Sequence, residues 1–158
     1  MSLFSAIYNS PLGAIGIQAS ETHIHRVTFL EEERISIRNN GLTDLCCEAL
    51  SLYFEGKQNH FPFQYHLEGT LFQNRVWELL QNIPYGTQIT YAALSKQIGN
   101  PKAIRAVGTA NGKNPIAILI PCHRVVGSQG KLTGYAGRLE RKAFLLALEQ
   151  KNSHQRLF

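Results

Sequence analysis

Three adjacent residues in the second half of the chain combine a nucleophile, a base and a cation. Cys122 is followed by His123 and Arg124, and Pro121 stiffens the backbone just before them. An unperturbed thiol has a pKa of about 8.5, so little thiolate exists at neutral pH. A nearby imidazole that accepts the proton raises the nucleophilic fraction. The triplet therefore predicts a reactive cysteine, although a lone buried cysteine more often serves only packing.

The surroundings of Cys122 add one difficulty and one candidate partner. Residues 118–120 are apolar and read as a buried strand that leads into the cysteine. Because neighbouring residues on a strand point to opposite faces, Cys122 and His123 need not touch. A histidine base also needs a third group that orients it. Glu149, at the end of the apolar helix 143–148, is the candidate, and its ordinary interpretation is a surface glutamate.

The first 68 residues predict a small sheet with one helix. Residues 4–8, 13–19 and 25–30 have the composition of three short strands joined by turns. Thr43 or Asp44 is the expected cap of a helix that ends near Gly56. The expected apolar stripe of that helix consists of Leu45, Ala49, Leu50, Tyr53 and Phe54. We therefore assign residues 1–68 to a small α/β N-terminal domain.

Residues 69–158 predict a helical domain with a helix-turn-helix. Phe72, Val76, Leu79 and Leu80 have helical spacing, and Thr90 precedes a short helix over residues 91–98. A turn at residues 99–101 leads to a helix over residues 101–110, which Pro101 is expected to open. Two short helices joined by a tight turn are typical of DNA-binding helix-turn-helix units, although such helix pairs are also common elsewhere.

Charge is distributed unevenly along the chain. The 158 residues contain 16 Lys and Arg against 11 Asp and Glu. Residues 1–68 hold four basic and eight acidic residues, and residues 69–158 hold twelve basic and three acidic ones. The second half therefore predicts a basic face that meets a polyanion, with a solvated basic surface as the plain alternative.

The remaining composition predicts an ordinary globular protein. Hydrophobic residues make up 44% of the chain, which suffices for a core. The longest apolar run, residues 116–120, is far too short for a membrane span. With no signal peptide visible, we expect a soluble cytoplasmic protein in which Cys46, Cys47 and Cys122 are free thiols.

The motifs of the second half resemble one protein family. FQNRVW, IPYG, ITYAALS, NPKAIRAVGTANGKNP, ILIPCHRVVG, TGYAG and ERKAFLLALE follow one another between Phe72 and Glu149. Their order and spacing resemble the O6-alkylguanine-DNA alkyltransferases, also called methylated-DNA–protein-cysteine methyltransferases. The resemblance implies an α/β (α+β) protein with a ribonuclease-H-like N-terminal domain, over residues 1–68. It implies a winged helix-turn-helix DNA-binding and catalytic domain over residues 69–158.

The resemblance also implies catalytic roles. Cys122 is the matched nucleophile and permanent alkyl acceptor. His123 is expected to deprotonate it through a water molecule, with Glu149 orienting the imidazole. Asn114 fixes the local hydrogen bonds. Tyr91 helps to rotate the nucleotide and donates a proton to the departing guanine.

A second group of residues is implied to bind DNA and the base. Arg105 matches the arginine that fills the gap left in the base stack. Tyr135, Ala136 and Gly137 match the wall and loop of the base pocket. The expected DNA contacts are Tyr91, Lys102, Arg105 and Ala106. The implied partner is double-stranded DNA that contains O6-alkylguanine, and O4-alkylthymine is an expected second lesion.

Some positions depart from the family pattern. Arg138 stands where a second glycine is frequent, Leu148 where histidine is frequent, and Thr70-Leu71 where Thr-Pro is frequent. None of them belongs to the implied catalytic set, although Arg138 bears on the pocket rim. Some family members bind zinc in the N-terminal domain. The histidines and cysteines of residues 1–68 lack the spacing of zinc ligands, so we expect no metal and no other cofactor.

Three functions are consistent with these residues. The first is a single-turnover DNA repair transferase, which we expect to be a monomer with no obligate protein partner and no membrane association. The second is a non-repairing alkylation sensor or regulator on the same scaffold, which the presence of Cys122 disfavours. The third is a thiol hydrolase, against which the adjacency of nucleophile and base argues. The resemblance favours the transferase.

Overall fold

The computed structural model of the chain describes residues 2–133, 135 and 138–155. It separates into two compact units. Unit 1 contains residues 1–67 together with residues 115–119, and unit 2 contains residues 68–114 and 120–158. The short segment 115–119 is a part of unit 1 that the sequence does not anticipate. Among the described residues, no helix combines the length and apolarity that crossing a membrane requires.

Unit 1 is a three-stranded antiparallel sheet with one helix. Strands β1 (Phe4–Ser10), β2 (Gly13–Ala19) and β3 (Ile24–Phe29) pair in that order, and all three agree closely with the predicted strands. Helix α1 (Gly41–Phe54) packs on β1 and β2. The sheet buries one face against this helix because antiparallel strands alternate apolar and polar side chains. The core includes Ile15, Ile17, Leu50 and Tyr53.

Two details of α1 differ from the sequence prediction. Its N-cap is Asn40, whose side chain accepts a hydrogen bond from the Thr43 amide, while the Thr43 hydroxyl accepts from the Asn40 amide. The predicted caps were Thr43 and Asp44, which lie inside the helix. Leu45 is exposed, whereas Cys46 is buried. The inward positions 46, 49, 50 and 53 follow the i, i+3, i+4, i+7 pattern, so position 45 falls outside it.

Unit 2 is mainly helical. Its elements are α2 (Leu71–Leu80), β4 (Ile89–Thr90), α3 (Tyr91–Ile98), α4 (Ile104–Gly112), β5 (Val125–Val126) and α5 (Leu139–Gln155). The two-residue strands β4 and β5 pair in parallel. Val76, Leu80, Leu94 and Val107 fill the space between α2, α3 and α4. The mixed α/β class predicted from the sequence is confirmed.

The turn between α3 and α4 is built from two local devices. Gly99 ends α3 in the left-handed conformation, with φ of 93°, which glycine adopts at little cost. The Asn100 side chain then accepts a hydrogen bond from the Lys102 amide at 3.0 Å, and the Asn100 carbonyl accepts from the Ala103 amide. This turn occupies residues 100–103. Helix α4 therefore begins at Ile104 and not at Pro101, and Lys102 lies before the helix.

We predict that Asn40→Ala lowers the free energy of unfolding by about 1 kcal/mol, because it removes an N-cap. The substitution also removes the hydrogen bond that Asn40 donates to the Ser20 carbonyl at 3.1 Å. Urea denaturation measures the change. Asn39→Ala is the matched control: Asn39 is exposed and pairs with Asp44. That variant should differ from wild type by less than about 0.5 kcal/mol. Equal losses in the two variants would contradict the assignment of the cap.

Candidate active site

The segment before Cys122 forms turns and not the predicted strand. Pro121 has φ of −81° and ψ of 63°, and the Cys122 amide donates to the Ile120 carbonyl at 2.8 Å. These values define an inverse γ-turn, which the fixed φ of proline favours. Residues Cys122–Arg124 then make one turn of 3-10 helix. The alternation expected for a strand therefore does not apply to Cys122 and His123.

Two asparagine side chains hold this turn on either side of Pro121. Asn114 donates to the Ile120 carbonyl at 2.8 Å, and Asn111 donates to the Cys122 carbonyl at 3.2 Å. These bonds add a side-chain donor to two carbonyls that also accept from the backbone, Ile120 from the Cys122 amide and Cys122 from the Val125 amide. Asn114, a predicted site residue, thus contacts the backbone two residues before Cys122. Asn111 was not among the predicted site residues, although an asparagine on the buried side of a short helix needs a polar partner.

His123 and Glu149 are in direct contact. The His123 Nε2 atom lies 2.6 Å from Glu149 Oε2, and both side chains are buried. A carboxylate can only accept, so Nε2 carries the hydrogen and donates it. In a neutral imidazole the lone pair is then at Nδ1, which has no hydrogen-bond partner among the described residues. Burial lowers the pKa of His123 and outweighs the opposing effect of Glu149, so the imidazole is neutral at pH 7.

Glu149 is the most heavily bonded side chain of the site. Besides the bond from His123, it accepts from Arg124 Nε at 2.7 Å, from Arg124 Nη2 at 3.0 Å and from the Gly86 amide at 3.2 Å. Burial alone raises the pKa of Glu149, but His123 and Arg124 lower it by more, so the carboxyl is ionised. Glu149 lies inside α5 and not at the helix end that the sequence predicts. Glu149 is buried and bonded to His123, so its ordinary interpretation as a surface glutamate does not hold.

Arg124 acts as the counter-charge of Glu149. Its third donor, Nη1, bonds to the Ile83 carbonyl at 2.7 Å, and the side chain is buried. From the sequence, Arg124 was expected only to add positive charge.

Gly86 has φ of 78°, and a Cβ atom there would clash with the Ser153 side chain. Only glycine therefore lets the backbone approach Glu149 in this way.

The electrostatic environment of Cys122 contains opposing effects. Burial raises the pKa of the thiol, while Asn114 and Lys142 lower it, and the net pKa lies above its ordinary value. The thiol is therefore protonated at rest and needs a base. Lys142 is buried, and burial lowers its pKa to about 8, partly offset by Cys122. Lys142 was not predicted as a site residue, because a lysine on a helix is usually solvated.

Tyr91 and Lys142 share one acceptor. The Tyr91 hydroxyl donates to the Thr133 carbonyl at 2.8 Å, and Lys142 Nζ donates to the same carbonyl at 2.7 Å. Nζ lies 3.4 Å from the Tyr91 hydroxyl. Burial raises the pKa of Tyr91, with Thr133 and Asn111 acting in the opposite direction. Tyr91 is thus a neutral hydroxyl with a cation beside it.

The remaining predicted residues fall into three groups. Tyr135 is buried, and burial raises the pKa of its hydroxyl. The charge of Cys122 raises this pKa further, so Tyr135 lies close enough to interact electrostatically with the cysteine. Ala136 and Gly137 lie outside the described residues. The predicted DNA contacts Lys102, Arg105 and Ala106 are exposed, unlike the buried side chains described above. Arg105 and Ala106 lie in the first turn of α4, and Lys102 lies in the turn before it.

The chemistry available to this site is nucleophilic attack by a thiol. A neutral imidazole with an unshared Nδ1 electron pair is able to accept a proton, and a hydroxyl beside a buried ammonium group is able to donate one. In the part of the chain that the structure describes, no three His, Cys, Asp or Glu side chains cluster as metal ligands do.

Family models match both parts of the chain. The model described as 6-O-methylguanine DNA methyltransferase, DNA binding domain, matches residues 71–151, and the model described as the ribonuclease-like domain of the same family matches residues 3–66. The methylated-DNA–protein-cysteine methyltransferase of Methanosarcina acetivorans is 44% identical over 153 residues. That alignment covers 93% of this chain and 98% of the relative.

Solved structures with the same fold include the O6-methylguanine methyltransferase of Mycobacterium tuberculosis. Its crystal structure superimposes with a TM-score of 0.88 at 39% identity, over 96% of this chain and 94% of that one. The Mycobacterium tuberculosis protein in complex with DNA gives a TM-score of 0.85 at 40% identity, over 95% and 93% of the two chains.

The lowered pKa of His123 predicts an acid-sensitive stability. In the unfolded chain the His123 imidazole binds a proton below about pH 6.5, whereas in the folded chain it resists protonation. The contribution of the neutral imidazole to the free energy of unfolding is therefore complete above that pH and is lost as the pH falls. Between pH 7.5 and 5.5 we expect wild type to lose about 1 kcal/mol more than His123→Gln. Urea denaturation across this range gives the comparison.

The matched control for this prediction is His60→Gln, which replaces an exposed histidine. It should keep the pH profile of wild type. Glu149 does not interfere, because the stability that its lowered pKa provides is lost only below about pH 4.5. Identical profiles for wild type and His123→Gln would contradict a buried neutral imidazole.

Proposed function

The chain belongs to the methylated-DNA–protein-cysteine methyltransferase family, and from this premise we propose that Cys122 is the residue that removes the alkyl group from O6-alkylguanine in DNA. The reaction is DNA repair by direct reversal, in which the protein itself accepts the group. The single observation that supports the assignment is the buried pair of Glu149 and His123, whose side chains are joined by a 2.6 Å hydrogen bond. His123 is the residue next to Cys122. It supplies a base to a thiol that burial keeps protonated.

The transfer begins with the loss of the thiol proton. His123 takes it at Nδ1, through a water molecule as the family resemblance implies. Glu149 then stabilises the imidazolium that forms, because its carboxylate already accepts from Nε2. Arg124 is a positioning residue, since it keeps Glu149 ionised and oriented. Asn114 and Lys142 favour the thiolate.

The thiolate next attacks the alkyl carbon in line with the bond to O6. The S–C bond forms as the C–O6 bond breaks, and the electron pair passes to the purine. Tyr91 gives its proton to the departing guanine, which leaves as a neutral base. Lys142, 3.4 Å from the Tyr91 hydroxyl, can return a proton because its pKa is about 8. The thioether product has no hydrolytic route among these residues, so each molecule acts once.

DNA is the partner of this reaction, and the alkylated base must leave the helix to reach a buried cysteine. Flipping costs a few kcal/mol of stacking and pairing, which an inserted side chain partly offsets. We assign that insertion to Arg105, with Lys102 and Ala106 beside it at the exposed start of α4. Tyr135, Ala136 and Gly137 complete the proposed pocket.

The proposal includes a monomer that works in the cytoplasm, as the sequence predicts. It keeps the predicted division into an N-terminal domain over residues 1–68 and a catalytic domain over residues 69–158. The sensor alternative has no observation in its favour, because Cys122 is present with its base.

Arg138 occupies a position where glycine is frequent in the family. Its φ of 80° lies in the left-handed region that favours glycine.

We predict that one equivalent of duplex DNA with a tritiated O6-methylguanine transfers one methyl group to each wild-type molecule. Peptide mapping should place the label on Cys122. Cys122→Ser should accept none, because an alcohol is a far weaker acid than a thiol. Cys47→Ser, which changes a half-buried cysteine of unit 1, is the control and should retain full transfer. Label on another residue, or catalytic turnover beyond one equivalent, would refute the assignment.

A second prediction concerns Arg105. Arg105→Ala should slow repair of duplex DNA by about tenfold or more while reaction with the free alkylated base stays near wild type, because only the duplex requires flipping. Single-turnover rates measure both. Arg75→Ala removes the same charge from α2, and its effect on duplex repair should be small and vanish as salt rises. Equal losses on duplex and free base in Arg105→Ala would exclude the role in flipping.

A further inference from the structure

Ile118 has a backbone conformation that β-branched residues avoid. Its φ of 70° lies in the left-handed region, where the side chain crowds the backbone. The other two non-glycine residues with positive φ in the described part of the chain, Gln129 and Arg138, are exposed, whereas Ile118 is buried. Strained residues persist where the surrounding structure enforces them, and they cluster at functional sites. Ile118 lies four residues before Cys122 and has no role among those assigned above.

Ile118 is the centre of a tight turn. The Leu119 amide donates to the Ala117 carbonyl at 2.7 Å. A hydrogen bond that closes a three-residue turn, combined with φ of about +75° at its centre, defines the classic γ-turn, which is rare and strained. The inverse γ-turn of residues 120–122 follows directly. The nucleophilic cysteine therefore lies at the end of two successive reversals of the chain.

Strand β3 fixes residues 115–117, which lead into the turn. The Val27 amide donates to the Pro115 carbonyl at 3.0 Å, and the Ala117 amide donates to the Val27 carbonyl at 2.8 Å. Ile116 lies between them in a parallel bridge with Val27 and is buried. This pairing leaves the backbone of residues 115–117 little freedom to absorb a change at the turn.

Asn114 fixes Ile120, which follows the turn. Its side chain donates to the Ile120 carbonyl at 2.8 Å. Burial raises the pKa of the Cys122 thiol, and a hydrogen bond with Asn114 opposes this effect. A shift of Ile120 relative to Asn114 would therefore move the thiol away from a group that favours its ionised form. Since the residues on both sides are fixed, the conformation of Ile118 determines the path of the chain towards Cys122.

We propose that Ile118 is a positioning residue, whose buried side chain holds the strained turn and thereby places Cys122 for attack on the alkyl carbon. This role rests on the proposed function, because Cys122 is the nucleophile of that reaction. Glycine at this position would adopt the same φ without strain, but no side chain would then anchor the turn in the core. Placement of the nucleophile matters directly for the rate, since a shift of about 1 Å can cost roughly 100-fold.

The first test measures the strain by urea denaturation. Ile118→Gly and Ile118→Ala both remove the buried side chain, but only alanine retains a Cβ atom. The unfolding equilibrium constant of the glycine variant should therefore be about threefold or more below that of the alanine variant. The same pair at Ile116, which lies in the bridge with Val27, should give the opposite order, because glycine there only adds freedom to the unfolded chain. The same order at both positions would contradict a strained turn at Ile118.

The second test measures methyl transfer from duplex DNA with O6-methylguanine in single-turnover reactions. Ile118→Gly and Ile118→Ala should lower the limiting rate at saturating DNA by about tenfold or more. The DNA concentration at half-saturation should stay close to wild type, because the proposed DNA contacts are unchanged. Ile118→Val retains the burial and the branch at Cβ, so it should restore a rate close to wild type.

Ile116→Ala is the matched control for the second test. It removes a buried isoleucine from the same segment and leaves the hydrogen bonds to Val27 in place. It should lower the stability without lowering the limiting rate. Thermal unfolding verifies that each variant is folded.

Ile118→Leu decides if neither Ile118→Gly nor Ile118→Ala folds. Leucine keeps the volume of the side chain and loses only the branch at Cβ that stiffens it. A limiting rate about threefold or more below wild type in Ile118→Leu would support the role, and a wild-type rate would overturn it.

The outcomes separate the role of Ile118 from the proposed function. A wild-type limiting rate in folded Ile118→Gly or Ile118→Ala, or an equal loss of rate in Ile116→Ala, would overturn the role. Absence of any methyl transfer by wild type would instead refute the proposed function. Nitrogen NMR relaxation of the Cys122 amide then still decides about Ile118.

In wild type and in Ile116→Ala the Cys122 amide should have the order parameter of a rigid backbone, about 0.85. In Ile118→Gly, or in Ile118→Leu if the glycine variant does not fold, the amide signal should shift and its order parameter should fall. An unchanged signal and order parameter in these Ile118 variants would overturn the role.

Discussion

The rest of the site depends on one buried carboxylate. Glu149 lies in the interior of unit 2, where an unpaired charge would be prohibitively unfavourable. It is stable there because it accepts hydrogen bonds from His123, from Nε and Nη2 of Arg124 and from the Gly86 amide. Arg124 is itself held by a bond to the Ile83 carbonyl, and Gly86 has the positive φ that glycine adopts readily. The carboxylate thereby determines which nitrogen of His123 carries hydrogen and where its lone pair points.

The balance of charges explains how a buried thiol can react. Burial raises the pKa of Cys122, which protects the cysteine from side reactions at rest. The same burial lowers the pKa values of His123 and Lys142, so one stays a neutral base and the other holds its proton loosely. Burial therefore has two effects. It leaves the His123 imidazole neutral and able to accept a proton, and it keeps the Cys122 thiol protonated at rest. This arrangement suits a protein that has a single nucleophile to use.

The sequence predicted the regular elements well and the irregular ones poorly. Strands β1 to β3, helix α3 and the reactive triplet follow from local spacing and caps, which are properties of neighbouring residues. Residues 118–120 were wrongly assigned to a strand because apolar composition alone does not distinguish a strand from buried turns. Arg124, Lys142 and Asn111 gained their roles only from partners distant in the chain. Local patterns hold no information about such partners. They offered Glu149 only as one candidate with a surface glutamate as its ordinary interpretation, and the family resemblance favoured its pairing with His123.

The proposed mechanism depends most directly on the protonation state of His123. Nitrogen NMR of the imidazole side chains, with the His123 signal identified by its loss in His123→Gln, reports this state at each ring nitrogen. At pH 7.5 we expect a neutral ring with hydrogen on Nε2 and an unprotonated Nδ1, which is the base that Cys122 requires. Hydrogen on Nδ1, in either the other neutral tautomer or an imidazolium, would contradict the account, because no acceptor for the thiol proton would then remain.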